Sequence, residues 1–323
     1  MTEADGLLLT VTEVRAETPL VRAITLARPH GEPLPSWQPG AHIRVCLPRG
    51  GDRSYSLVNL STDPHATTRP VAYRLGVRLE DPSQGGSLFM HGLKRGDQVR
   101  VLAPSNNFPL EPAPQPVVLL AGGIGITPIV SMAAALAAEG RSYRLYYAGR
   151  ARDHLAFIKE IEQLCGLRLA LHLDDMAGRV FDVDDLFGSL TSEPVYCCGP
   201  RAMIDAAVAA AQARDWIAGR LRFELFTAAT PQAGDQAFEV VLKSTGESFL
   251  IPPGKSILDV LIEAGKDPLH DCKRGDCGIC QAQVVEGVPD HRDYILTDSE
   301  KAEGTMMQIC VSRSKTPRLV IDL

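Results

Sequence analysis

Apolar positions along this chain change rhythm twice. Short runs of alternating apolar and polar residues occupy 7–14, 21–27, 41–47, 54–58, 71–79 and 98–102, with Pro-Gly, Gly-Gly and Asp-Pro turns between them. A period of two predicts strands, and strands this short and frequent suggest an antiparallel barrel. One short helix is predicted at 86–92. Residues 109–116 (PLEPAPQP) hold four prolines in eight positions and read as a linker. Beyond them, apolar runs at 117–121, 143–148, 167–173, 194–198 and 221–226 alternate with helical patterns at 128–139, 153–165, 183–187 and 200–213. That alternation predicts a parallel sheet with helices on both faces. Thr127 and Pro128 suit a helix start, and Gly140 suits its end.

The third rhythm follows a second linker at 228–236 (AATPQAGDQ). FEVVLKSTGESFLIP predicts a hairpin about Thr245 and Gly246. SILDVLIEAG predicts a helix with Ser256 as its cap, Asp259 three residues on and Gly265 past its end. A cysteine-rich loop and more short strands complete the region. No internal repeat is visible.

Composition narrows the reading. A chain of 323 residues gives a soft prior of about two domains, which the order of motifs below raises to three: 1–110, 111–228 and 229–323. Hydrophobic residues make up 45% and charged residues 22%, as in a globular rather than a disordered chain. A net charge of −6 argues against a nucleic-acid partner. Residues 117–138 carry no charge and are long enough to span a bilayer. Gly122, Gly123, Gly125 and Pro128 interrupt them, so a buried strand, a glycine turn and a buried helix are expected instead of a membrane span. The start, MTEADGLLLTVT, has two acids, no base and an apolar run of three leucines, unlike a signal peptide. A cytoplasmic protein is therefore expected, its eight cysteines serving as thiols or metal ligands rather than disulfides.

The strongest chemical signal is Cys272-x4-Cys277-x2-Cys280, with Cys310 following after 29 intervening residues. This is the spacing of a plant-type [2Fe–2S] cluster, in which four thiolates hold two irons. Three sulfurs from nine residues must converge, so the backbone has to wrap tightly, and Gly275 and Gly278 permit the turns. A structural zinc site and unrelated thiols are the alternatives. Zinc ribbons usually pair two Cys-x2-Cys knuckles, and only one is present here.

The segment DCKRGDCGIC (271–280), with Asp290-His291-Arg292-Asp293 and the closing LVIDL, resembles the reductase components of phthalate dioxygenase and vanillate demethylase. The resemblance runs over essentially the whole chain. It implies an N-terminal antiparallel β-barrel that binds flavin, an α/β nicotinamide domain, and a C-terminal α+β plant-type ferredoxin of β-grasp form. His291 falls on a family position and is read as structural.

Two further motifs fit that layout. In Arg53-Ser54-Tyr55-Ser56, Tyr55 can pack on a flavin ring, Ser56 can hydrogen-bond its edge, and Arg53 can pair with phosphate. Alternation puts Ser54 on the opposite face from Arg53 and Tyr55. Some thirty residues on, Gly85, Gly86 and Ser87 follow Gln84, and amides opening a helix there would form a phosphate nest. By resemblance the flavin is FMN, and Gly76 and Arg78 line it.

Gly122, Gly123, Gly125 and Thr127 follow a buried strand and open a helix, where a pyrophosphate would sit on free amides. Their spacing is not the G-x-G-x-x-G fingerprint, and a plain glycine turn is the alternative. Cys197-Cys198-Gly199-Pro200 ends a later strand. Resemblance puts Cys198 beside the nicotinamide and Phe226 near the flavin; a buried thiol and a core phenylalanine are the bland readings. Arg150 and Arg152 would suit NADPH, Asp174 would suit NADH, and the resemblance favours NADH.

From position 235 onward there are 15 acidic and 10 basic residues, so the cysteine-rich part carries nearly all the net charge. Such a surface can steer a basic partner or simply confer solubility. The resemblance implies a chain from NADH through FMN and [2Fe–2S] to a separate terminal oxygenase, most naturally of Rieske type. A cytochrome P450 acceptor and a redox sensor without turnover are the competing readings. A monomer is expected.

Overall fold

The computed structural model describes residues 6–83, 85–112, 114–226 and 232–323, and the chain divides into two compact units, 1–224 and 225–323. Residues 228–231 of the predicted linker at 228–236 lie outside the described residues.

The first unit begins with six strands: β1 (Leu7–Ala16), β2 (Val21–Ala27), β3 (His42–Cys46), β4 (Asp52–Ser56), β5 (Ala72–Arg78) and β6 (Gln98–Val101). They form one sheet in the order β4-β3-β6-β1-β2-β5, every neighbouring pair antiparallel. Side-chain alternation decides what the sheet buries. In β5, Tyr73, Leu75 and Val77 enter the core while Arg74, Gly76 and Arg78 take the other face. Leu9, Val11, Ile24, Leu26, Ile43 and Val45 supply much of the rest. The two ends of the strand order meet once, through a bridge between Leu57 and Leu75. Two short helices, α1 (His65–Thr68) and α2 (Gly86–Gly92), lie between strands; the second was expected, the first was not.

A parallel sheet follows in the same unit, in the order β11-β10-β7-β8-β9. Its strands are β7 (Val117–Gly122), β8 (Tyr143–Gly149), β9 (Leu169–Leu173), β10 (Val195–Cys198) and β11 (Leu221–Glu224). Its helices are α3 (Ile126–Ala138), α4 (Ile158–Cys165), α5 (Asp174–Ala177), α6 (Val183–Gly188) and α7 (Arg201–Gln212). All six residues of β7 are buried, as its uninterrupted apolar run required. No helix among the described residues is long and apolar enough to cross a membrane.

Several boundaries differ from expectation, among them these three. Helix α3 starts at Ile126, after a single tight turn at 123–125, so Thr127 is inside the helix and its hydroxyl donates to the Ile124 carbonyl (3.0 Å). Helix α4 starts five residues late because Phe157 has a left-handed backbone (φ +60°), which a continuous helix cannot include. Strand β11 stops at Glu224, two residues short of Phe226.

The two sheets of this unit are joined by specific bonds. Ser131 of α3 donates to the Leu57 carbonyl (2.7 Å) and accepts from the Asn59 amide (2.9 Å). Glu160 of α4 receives Arg15 (2.7 Å) and Arg74 (2.9 Å), and the Arg74 guanidinium stands over the Phe157 ring.

The second unit holds β12 (Phe238–Leu242), β13 (Ser248–Ile251), β14 (Gln281–Glu286), β15 (Pro289–Asp290), β16 (Met306–Gln308), β17 (Arg313–Ser314) and β18 (Arg318–Asp322), with helices α8 (Ile257–Glu263) and α9 (Asp298–Glu303). Five strands make a mixed sheet in the order β13-β12-β18-β14-β16; β15 and β17 pair separately. Ser256 and Asp259 form the reciprocal cap read from the sequence. A second such cap, Thr297 with Glu300, starts α9 and was overlooked. The described end of the second linker is anchored: Asp235 takes a forked bond from Arg292 (2.6 and 3.0 Å).

Candidate functional site

The parallel sheet reverses its strand order between β7 and β10. Loops at the carboxyl ends of strands flanking such a reversal form the natural ligand crevice of an open α/β sheet. The two glycine motifs of the sequence lie at that point. The register pairs Cys198 with Ala121, so Gly122 and Gly125 stand beside Gly199 and Pro200. The contact is backbone on backbone. A Cβ on Gly125 would stand 2.1 Å from the Cys198 carbonyl oxygen, and one on Gly199 would stand 3.2 Å from Gly122. A Cβ on Gly122 would meet Pro200 and Met203 at 2.6 and 2.9 Å. Gly123 has φ +54° with nothing within 4 Å of its Cβ position, so it serves the turn and not the packing. These glycines supply main-chain amides without side chains near the start of α3. Cys198 is fully buried beside them. Cys197 is a core residue, and burial pushes its thiol well above the usual range.

The candidate flavin residues gather along the seam between the two edge strands β4 and β5. Pairing of β4 with β3 puts Arg53 opposite Val45 and Tyr55 opposite Ile43, hence on the core side, and puts Ser54 and Ser56 on the other. The Leu57–Leu75 bridge sets an antiparallel register that brings Ser56 level with Gly76 and Ser54 level with Arg78. Past that bridge the named strands β4 and β5 do not pair. A Cβ on Gly86 would strike Arg53 (2.7 Å) and the Tyr55 hydroxyl (3.1 Å), so the RSYS strand and the Gly-Gly-Ser turn are in contact. Gly85 (φ +95°) makes the turn into the helix. The Ser87 hydroxyl accepts the Glu80 amide (3.1 Å) and shapes the loop. Gln84 lies outside the described residues. Burial pushes Tyr55 up to about 12, so its hydroxyl stays protonated.

Gly76 brings this seam up to the glycine turn. Its Cβ position is 2.7 Å from Thr127 and 2.9 Å from the Phe157 ring, so the absent side chain lets β5 approach the start of α3. Arg78 instead pairs with Glu80 (3.1 Å). Phe226 is half-buried and belongs to the second unit.

In that second unit the four predicted cysteines converge. Cys272 faces Cys277 and Cys310, and Cys280 faces Cys310, close enough for each thiol to shift its neighbour's acidity. Donation from its neighbours pulls Cys272 below the ordinary thiol range, while sharing protons pushes Cys277 and Cys310 above it. Cys280 and Cys310 are buried and Cys272 and Cys277 half-buried, giving an inner and an outer pair. No three His, Cys, Asp or Glu side chains among the described residues surround a single-ion position. Two pairs of thiols are the donor set for two irons, and thiolates are the ligands such a cluster takes. The Arg274 amide points at Cys272 Sγ (3.3 Å). Gly275 (φ +83°) and Gly278 (φ +80°) make the turns, and Gly275 also lies against Val311 (2.7 Å from its Cβ position).

One residue of this loop escaped the sequence reading. The Asp276 side chain is buried, between two candidate ligand cysteines in the chain, and accepts the Leu225 amide (2.9 Å), fastening the loop to the start of the unit. Burial, partly offset by Arg274, pushes its carboxyl up to about 7. An acid inside the Cys-x4-Cys spacing was the available signal.

Comparison with known proteins agrees with this geometry. The chain matches the family model of the oxidoreductase NAD-binding domain over residues 119–209. It matches that of the 2Fe-2S iron-sulfur cluster binding domain over residues 240–315. The class is therefore an NAD-binding oxidoreductase with a [2Fe–2S] domain. Among its relatives, tetrachlorobenzoquinone reductase of Sphingobium chlorophenolicum is 41% identical, over 98% of this chain and 97% of that protein. A toluene-4-sulfonate monooxygenase system reductase subunit of Comamonas testosteroni is 39% identical, over 98% of each. The solved structure of phthalate dioxygenase reductase, described as modular for electron transfer from pyridine nucleotides to [2Fe–2S], superposes with a TM-score of 0.75 at 36% identity over 99% of each chain. The chain belongs to the phthalate dioxygenase reductase family.

Proposed function

We propose that this chain is the reductase component of an oxygenase system, moving electrons from NADH through FMN and a [2Fe–2S] cluster to a partner Rieske-type aromatic oxygenase or O-demethylase. When bound, FMN accepts two electrons as hydride and releases them singly, and the cluster carries one at a time. The chain's own residues bind and orient. Gly122, Gly123, Gly125 and Thr127 hold the dinucleotide at the strand-order reversal, with Gly199 and Pro200 closing the far side. Cys198 borders the nicotinamide. Arg53 and the amides of Gly85, Gly86 and Ser87 hold the flavin phosphate. Tyr55, Ser54, Gly76 and Arg78 line the flavin, Ser56 hydrogen-bonds the edge of its ring, and Phe226 is the aromatic candidate that the resemblance supplies. Cys272, Cys277, Cys280 and Cys310 hold the cluster, the outer pair facing the electron acceptor.

The observation that carries this reading is the four-thiol loop within a chain whose parallel sheet has two interlocked glycine turns at its reversal. The finer architecture goes with it: a flavin β-barrel at 1–110, a nicotinamide domain at 111–228 and a β-grasp ferredoxin at 229–323, in a cytoplasmic monomer. Proteins of the same family named for a monooxygenase system support an oxygenase as the acceptor. The test is turnover with purified acceptors. NADH-dependent product formation by a Rieske oxygenase, absent without this chain, supports the reading. Electron delivery only to a cytochrome P450, or only to a free quinone, overturns the choice of acceptor.

A further inference from the structure

The core of the second unit contains one amide that its apolar surroundings do not explain. Gln308, the last residue of β16, is fully buried in a unit whose core is otherwise apolar, between the core residues Met307 and Ile309 in the chain. Its Oε1 lies 3.5 Å from Cys280 Sγ, with the thiol donating. Its Nε2 is buried and has no hydrogen-bond partner among the described residues. A buried, unpaired amide donor is costly, and leucine or methionine would fill the same space without that cost. The pairing is held by the backbone: the Ile309 amide donates to the Cys280 carbonyl (3.2 Å), and Gln281 registers with Gln308.

The chemistry changes when Cys280 becomes an iron ligand. A thiolate has no proton to donate, so Oε1 facing it would set one acceptor against another. The two ends of a glutamine amide have nearly the same shape. A half-turn of the amide brings Nε2 to the sulfur and converts an unpaired donor into a donor to the thiolate.

We infer that Gln308 is a positioning residue for the electron-transfer step: its side-chain amide donates to the Cys280 thiolate and makes the cluster easier to reduce. A hydrogen bond to a ligand sulfur favours the more negative, reduced state of the cluster and so raises its potential. This inference rests on the assignment of Cys280 as a cluster ligand.

The test is an EPR-monitored redox titration of the full chain, comparing wild type with Gln308→Leu. The reduction equilibrium constant is expected to fall about tenfold, a shift of about 59 mV for a one-electron couple, with iron content and visible spectrum unchanged. An intact cluster with an unchanged or raised midpoint would overturn the inference. A second measurement needs no variant. Wild type with ¹⁵N in its glutamine side chains should show nuclear coupling to the reduced cluster by pulsed EPR, and its absence would equally overturn the role of Gln308. Wild type without any [2Fe–2S] signal would instead overturn the ligand assignment beneath it.

Discussion

Replacing Gly125 by alanine tests the nicotinamide crevice at its tightest point. The added Cβ would lie 2.1 Å from the Cys198 carbonyl oxygen, 2.4 Å from its carbon and 2.7 Å from the Gly199 nitrogen. Ordinary contact begins near 3.4 Å, so the two turns must part by about 1.3 Å. The neighbour is main chain in a strand paired with β7, so no rotamer change relieves the clash. Overpacking of this kind costs about 1–3 kcal/mol in stability. The effect on rate should exceed that on stability, because displacing reacting groups by roughly 1 Å costs about 100-fold. Gly123→Ala is the control. Its backbone, unlike that of Gly125, is left-handed, with a strain of about 1–2 kcal/mol, but nothing stands within 4 Å of the new methyl group. Stopped-flow measurement of flavin reduction by NADH should show G125A slowed about 100-fold and G123A slowed far less, both with full cluster absorbance. Wild-type kinetics in G125A, or a greater loss in G123A, would refute the crevice as the nicotinamide site.

Three further outcomes are expected. Cys310→Ser, which removes one of the buried thiols, should abolish the cluster and electron delivery to an oxygenase while leaving flavin reduction by NADH largely intact, as read by visible spectra and stopped flow. Ser131→Ala strips partners from the Leu57 carbonyl and the Asn59 amide. It should lower stability by about 1–3 kcal/mol and slow flavin reduction without changing iron content, as calorimetry and single-turnover kinetics would show. Arg292 holds the Asp235 carboxyl at about 2, below its usual 3.8. A depressed carboxylate contributes stability above its unfolded value and loses it as pH falls through the folded one. The second unit should therefore weaken between pH 3.8 and about 2, by on the order of 1–2 kcal/mol. Asp235→Asn should flatten that limb in a melting-temperature series against pH.

Much of the architecture was legible because it rests on local pattern. The period-two runs of the first region, the glycine-broken apolar run at 117–138 and the Ser256–Asp259 cap each act over a few residues. The candidate cluster cysteines were legible for a related reason: three of the four come from one short loop. Contacts distant in sequence were not. Nothing near Gly76 in the chain announces that Thr127 and Phe157 pack on its bare Cα, and nothing near Phe157 announces a left-handed residue. Asp235 read as part of a polar linker, since its partner Arg292 lies 57 residues away. Asp276 and Gln308 are polar residues whose burial only the folded chain reveals.

The central claim is that one chain carries hydride acceptor and one-electron carrier together. Anaerobic NADH added to the purified protein tests it directly, with visible spectra recorded before and after. The account predicts flavin and iron–sulfur absorption at the start and bleaching of both by NADH. A colourless protein, or flavin bands without cluster bands, would contradict it.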